Sequence, residues 1–139
     1  MTYERTLGII KPDAVAAYST GAIIELIERN GFTIEQMKKR QWTGADAKLF
    51  YEMHKSRSFF PELVEFMTSG PSVFLLLSRN NAVAAWRDLM GATNPEQAHV
   101  GTIRAMFGTD VGKNATHGSD SSESATREIQ LVFPSSSNR

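Results

Sequence analysis

The chain has 139 residues, enough to enclose one substantial core and too few for two. Lys plus Arg and Asp plus Glu each number 15, so no overall charge draws the chain toward nucleic acid or a membrane surface, and any anion site must be local. Hydrophobic residues at 41% and charged residues at 22% are globular proportions, and the absence of cysteine removes disulfides, thiolate metal sites and cysteine nucleophiles. The apolar run 7–10 is too short for a signal sequence and no later segment is long enough to span a bilayer, so a cytoplasmic protein is expected.

Residues 6–10 are mostly apolar and end at Lys11 and Pro12, the pattern of a strand buried on both faces that stops where proline removes a donor. Lys11 then stands at a strand end. After a loop through Ser19, Thr20 and Gly21, Ile23, Ile24 and Ile27 recur at helical spacing, with Glu25, Glu28 and Arg29 facing water and Gly31 as the stop. Residues 32–42 alternate loosely through Ile34 and slip phase at Met37, which predicts a bulged or exposed strand. Ala47, Phe50, Tyr51 and His54 share one face of a second helix, with Tyr51 near its buried side. Pro61 opens a third, lined by Leu63, Phe66 and Met67 and stopped by Gly70 and Pro71. Residues 73–77 form the most continuous apolar run and predict a central strand. Asn80 is then placed to cap a helix striped by Val83, Trp86 and Met90 and closed by Gly91.

From 91 to 116 periodicity fades and four glycines accumulate, a length associated with function rather than simple connection. Asp120 and Glu123 form a D-x-x-E start for a last helix carrying Glu128 and Ile129. Residues 1–133 read as a single domain and 134–139 as a disordered tail. The order β, α, β, α, α, β, α shows three strands, and its βαβ start is the ferredoxin-like signature, which implies a fourth. The expectation is an α+β, ferredoxin-like sandwich, a four-stranded and mainly antiparallel sheet with helices packed on one side.

The segment 114–121 gathers polar groups, a glycine and His117 where a loop meets a helix start. A neutral imidazole offers a nitrogen nucleophile without a strong base beside it, and a carboxylate on its other nitrogen fixes the tautomer; Glu128, on the following helix, is within reach. A lone histidine in a polar loop is more often a surface or capping residue, and His54 and His99 are read as structural. Lys11, Arg87 and Arg104 are the cations available for a phosphate tail, informative only if they converge. The run 108–114 is one residue short of a Walker loop and has Asn114 in place of its hydroxyl residue, so that reading is rejected.

The unbroken run Asn114-Ala115-Thr116-His117-Gly118-Ser119-Asp120-Ser121 resembles the signature of the nucleoside diphosphate kinase family. The similarity continues through Lys11-Pro12-Asp13-Ala14-Val15, Phe59-Phe60, residues 66–71, residues 87–95 and Gly101-Thr102-Ile103-Arg104, covering 4–133. Ser58, where many members have proline, and Gly8 are departures. The resemblance implies that His117 is phosphorylated on one ring nitrogen while Glu128 accepts a hydrogen bond from the other and Ser119 supports the pair. Lys11 and Tyr51 would lie near the transferred phosphate. Arg87, Thr93 and Arg104 would hold the remaining phosphates, Asn114 and Lys11 the sugar hydroxyls, and Phe59 with Val111 the base.

The implied substrates are nucleoside triphosphates and diphosphates, used in turn with low base selectivity. Magnesium would be held by the nucleotide phosphates rather than by protein ligands, and the chain is expected to form a homo-oligomer, tetramer or hexamer. Two other readings remain open on residues alone. One is an idle nucleotide or nucleic-acid binder, for which the neutral balance and the lack of a basic groove interleaved with aromatics argue poorly. The other is a hydrolase that passes the phosphate from His117 to water.

Overall fold

Residues 3–136 are described by a computed structural model of the chain. Four strands, β1 (Tyr3–Ile10), β2 (Thr33–Arg40), β3 (Ser72–Asn80) and β4 (Thr116–Gly118), form one sheet in the order β2-β3-β1-β4 with every pairing antiparallel. The helices are α1 (Pro12–Ala16), α2 (Thr20–Arg29), α3 (Gly44–Phe50), α4 (Phe60–Met67), α5 (Ala82–Met90), α6 (Ile103–Phe107) and α7 (Ser122–Val132).

Helices cover both faces of the sheet, correcting the one-sided packing expected. The reason is visible in β3, where successive side chains alternate faces. Phe74 and Leu76 join Leu7, Ile9, Phe50, Met67 and Ile129 in one core. Val73, Leu75 and Leu77 join Ile23, Ile27, Trp86 and Met90 in the other. A strand apolar at every position therefore reports two cores, one above and one below.

Several local features differ from expectation, each for an identifiable reason. The register shift in β2 falls between Ile34 and Gln36 rather than at Met37; the extra residue, Glu35, reaches Arg5 of β1 at 2.7 Å. Helix α3 ends at Phe50 instead of running to His54, and Glu52–His54 form a 3-10 turn. Arg127 of α7 donates to Leu49 O at 2.9 Å and Phe50 O at 3.1 Å, so the last carbonyls of α3 are satisfied without another helical turn. Helix α5 is capped not by Asn80, which ends β3, but by Glu4 of β1, whose Oε1 accepts from Val83 N at 2.8 Å. The cap of α7 is Ser121, accepting from Ser124 N at 3.1 Å, because Asp120 is engaged with Arg87. Of the tail expected at 134–139, Pro134–Ser136 form a short 3-10 turn, and 137–139 lie outside the described residues.

The stretch expected as loop from 91 to 116 contains α6 and leads into β4, and the residues after Lys11 form α1. Strand β4 pairs with the second half of β1, setting His117 opposite Ile9. Gly118 makes this pairing compatible with α5, because a methyl group there would stand 2.5 Å from both Trp86 Cδ1 and Met90 Cε. Substitution Gly118→Ala is expected to lower stability by about 1–3 kcal/mol through overpacking, read as a lower urea midpoint at unchanged slope.

Candidate active site

His117 is fixed from three sides. Its backbone belongs to β4, and its carbonyl accepts a hydrogen bond from Trp86 Nε1 at 3.1 Å. Its ring meets the edges of Phe50 and Tyr51, at centroid distances of 5.3 and 6.0 Å. Nε2 lies 3.0 Å from Glu128 Oε1, which also accepts from Ser119 Oγ at 2.8 Å. Leu7 N donates in turn to Ser119 Oγ at 3.4 Å, tying this chain of bonds to β1. A carboxylate that accepts from the serine accepts from the imidazole as well, which places the ring proton on Nε2 and the lone pair on Nδ1. The imidazole side chain is 19% exposed, whereas that of Glu128 is only 7% exposed. A reactive nitrogen is thus reachable while its orienting carboxylate is sealed.

Two cations lie in the same region, both largely withdrawn from water. Lys11 Nζ donates to Asn114 Oδ1 at 2.9 Å, and burial, followed by the repulsion of Arg104, pulls its pKa down to about 8 against the opposing pull of Asp13. Arg104 reaches Gly91 O at 3.0 Å and Thr116 O at 2.9 Å, and burial, then Arg87, brings it down to about 10. Asn114 links these parts, because its Nδ2 donates to Thr93 O at 3.1 Å and Val111 O at 2.9 Å while its oxygen serves Lys11. Arg87 stands at the rim, paired with Asp120 at 2.9 Å.

The opposite wall is aromatic. Tyr51 contacts His54 at 6.5 Å and His54 contacts Phe59 at 5.5 Å, so a line of rings runs outward from His117. Phe59 is 45% exposed, and Val111, tied to the site through Asn114, is 56% exposed. Among the described residues, Tyr51 Oη, His54 Nδ1, Arg104 Nε and Asp13 Oδ1 are buried side-chain atoms with no hydrogen-bond partner. Buried polar groups are ordinarily paired, so the unpaired hydroxyl of Tyr51, on a ring that meets His117, is a donor available to a polar ligand.

Comparison with known proteins decides the family. The family model described as nucleoside diphosphate kinase matches residues 4–137. This chain belongs to the nucleoside diphosphate kinase family. It is 55% identical over 130 residues to a nucleoside diphosphate kinase of Nitratiruptor sp., covering 94% of this chain and 95% of that one. With the enzyme of Chlamydia abortus it shares 54% identity, covering 94% and 92%. Among solved structures, the Aquifex aeolicus nucleoside diphosphate kinase superposes with a TM-score of 0.94 at 45% identity, covering 95% and 96% of the two chains. That of Encephalitozoon cuniculi gives 0.90 at 38% identity, covering 94% and 88%.

In this nucleoside diphosphate kinase, the residues that the resemblance names fall into two groups of contacts that adjoin at Thr116 and His117, with Arg87 and Phe59 beside them. His117, Glu128, Ser119 and Tyr51 form one half, while Lys11, Asn114, Arg104, Thr93 and Val111 form the other. Three further residues escaped sequence reasoning. His54, read as structural, lies within the ring line; its helical spacing from Phe50 and Tyr51 is a signal that packing alone also produces. Arg127 joins the α3 wall to the helix that carries Glu128, which no spacing could disclose. Asp13 stood inside the resembling run after Lys11 but had no role.

The depressed lysine has consequences of opposite sign for binding and for stability. An unfolded lysine holds its proton up to about pH 10.5, Lys11 in the fold only to about 8. Between these values the unfolded chain carries the extra proton, so the contribution of Lys11 to stability rises with pH there and is flat below. A charged ammonium is nonetheless what attracts phosphate oxygens. Affinity for pyrophosphate, measured by calorimetry, is expected to fall about tenfold between pH 7 and roughly pH 9.5, a step that Lys11→Gln removes.

Proposed function

We propose that the chain transfers the terminal phosphate of a nucleoside triphosphate to a nucleoside diphosphate through a phosphohistidine on His117. The observation that carries this reading is the imidazole held through Nε2 by Glu128 at 3.0 Å, which leaves the lone pair on Nδ1 of the residue directly after Thr116, whose carbonyl receives Arg104 at 2.9 Å. The lone pair of Nδ1 attacks the terminal phosphorus, forming the N–P bond as the bond from phosphorus to the bridging oxygen breaks. The nucleoside diphosphate leaves with that electron pair. Glu128 meets the charge that develops on the ring, since the Nε2 proton is already hydrogen-bonded to it. A terminal phosphate oxygen of a second diphosphate then attacks the same phosphorus, and the electron pair of the N–P bond returns to Nδ1.

Lys11 and Arg104 supply positive charge where three phosphate oxygens spread their negative charge, and Tyr51 offers a hydroxyl with no partner among the described residues. Arg87 and Thr93 extend the binding of the phosphate tail, with Asn114 and Lys11 on the sugar hydroxyls. Phe59 and Val111 are each half-exposed and provide apolar faces for a base. Stacking and area hardly distinguish one base from another, which supports low selectivity.

The phosphate-facing donors are ammonium, guanidinium and hydroxyl groups, a set that receives anionic oxygens rather than a bare divalent cation. Among the described residues, no three carboxylate or imidazole side chains gather to hold one. Magnesium fits this set when it is bound by the nucleotide's own phosphates, where it supplies charge neutralisation. No helix of the described residues is long and apolar enough to cross a membrane, which accords with a cytoplasmic nucleotide enzyme. Strand β2 lies at a sheet edge with Met37 half-exposed, and Tyr18 and Val100 are almost fully exposed, features that support a homo-oligomer, tetramer or hexamer.

The test uses ATP labelled on its terminal phosphate. The chain is expected to take up an acid-labile, alkali-stable label that GDP discharges, and His117→Ala to take up none while retaining its far-ultraviolet circular dichroism. Label persisting in that variant would remove His117 from its role. Label lost to water as quickly without GDP would make the chain a hydrolase.

A further inference from the structure

Asp13 lies on α1, just after the strand end that carries Lys11, and none of the steps above uses it. Its Oδ2 accepts a hydrogen bond from Ala115 N at 3.1 Å. The carbonyl of the same Ala115 accepts from Lys11 N at 2.8 Å, so both backbone polar groups of one residue are gripped by the Lys11-Pro12-Asp13 corner. Ala115 is wholly buried and has φ of 76°, in the left-handed region that disfavours any residue bearing a Cβ. Thr116 N donates to Asn114 O at 2.9 Å across it, making the tight positive-φ γ-turn that is rare and strained.

The flanking residues explain why such a turn matters here. Asn114 holds Lys11 Nζ, Thr116 O holds Arg104, and His117 follows directly. Three residues with places in the site, one before the strained alanine and two after it, therefore hang from this turn. Without an acceptor for its buried N–H the turn has reason to relax toward negative φ, and relaxation rotates the peptides on either side of it.

We propose that Asp13 is a positioning residue for phosphate transfer: its carboxylate holds the γ-turn at Ala115 and so sets where the Asn114 amide, the Thr116 carbonyl and the His117 imidazole stand. Its burial and the attraction between Asp13 and Lys11 agree with a carboxylate kept for its place rather than for solvation. This inference rests on the reading of His117 as the phosphate carrier.

The rate of His117 labelling at saturating ATP tests it, well below the melting temperature and at pH 6.5. Asp13→Ala is expected to label at least about thirtyfold more slowly than the unaltered chain, the scale of a misplaced reacting group. Asp13→Asn keeps an oxygen that can accept the same N–H and is expected to stay within about threefold. Asp13→Ala combined with Ala115→Gly is expected to recover most of the rate, because glycine adopts positive φ without help. Damage to folding alone would not be repaired by that second change. A wild-type rate in Asp13→Ala, no recovery in the double variant, or an Asp13→Asn as slow as Asp13→Ala would each overturn the role. Should Asp13→Ala alone not fold, the double variant decides: folded and fast supports the proposal, whereas slow or unfolded overturns it. An unaltered chain that takes up no label fails the reading of His117 first. A labelled one with an equally fast Asp13→Ala fails only Asp13.

Discussion

The hydrogen bond between His117 Nε2 and Glu128 Oε1 makes a demand on the whole fold, because its two partners belong to different layers. His117 comes from the shortest strand of the sheet and Glu128 from the helix packed over it. Holding them at 3.0 Å requires β4 and α7 to keep one relative position, and β1 is the element that enforces it. It pairs with β4 backbone to backbone, and through Leu7 N it holds the serine that shares the Glu128 carboxylate. At its start, Glu4 caps α5, whose Trp86 holds the His117 carbonyl. At its end, Lys11 N fixes Ala115. A strand buried from Thr6 onward and bonded on both edges is the stiffest element available for these tasks.

The same arrangement explains what could be read in the sequence. The helices α2 and α5 and the strand β3 carry enough residues for a period to register, and their cores follow from the positions of Ile23, Ile27, Trp86 and the run 73–77. Helices α1 and α6 have five residues each and β4 has three, less than two turns or two alternations, so no pattern distinguishes them from loop. Remote caps are equally silent. Glu4 is 79 residues from the amide it caps, and Arg127 is 77 and 78 residues from the carbonyls it satisfies. Asn80 and Asp120 were reasonable capping choices by local rules, displaced by partners that only the folded sheet brings near.

For the site, chemistry was legible where geometry was not. The run 114–121 named the family and its histidine, but it could not show which ring nitrogen is held. It also gave no sign that His117 lies in a strand, since strand pairing depends on β1, more than a hundred residues earlier. The convergence of Lys11, Arg104 and Asn114 follows from the antiparallel return of the chain and from the turn at Ala115, neither of which leaves a periodic trace. His54 shows the limit from the other side. Its spacing fits packing on a helix face, yet its Nδ1 is buried without a partner among the described residues in the aromatic wall.

Two cations drawn from water that repel one another, a phenol and an imidazole nitrogen with no hydrogen-bond partner among the described residues, and an alanine at positive φ are all features that lower the stability of the free chain. They border the site, whereas the two cores on either face of the sheet, although Tyr51 and Ala115 reach into them, are otherwise built of buried apolar side chains. Such a division is what preorganisation requires. Charge held in place before a phosphate arrives needs no rearrangement when charge shifts during transfer, and the cost of holding it is met by the packing around β1 and β3 rather than by the site itself. Relieving any one of these tensions, for instance by pairing Lys11 with a further carboxylate, would raise stability while weakening the field that a phosphate meets. The tension at the site and its fitness for phosphate are in this view one property, set by how far the sheet keeps those charges from water.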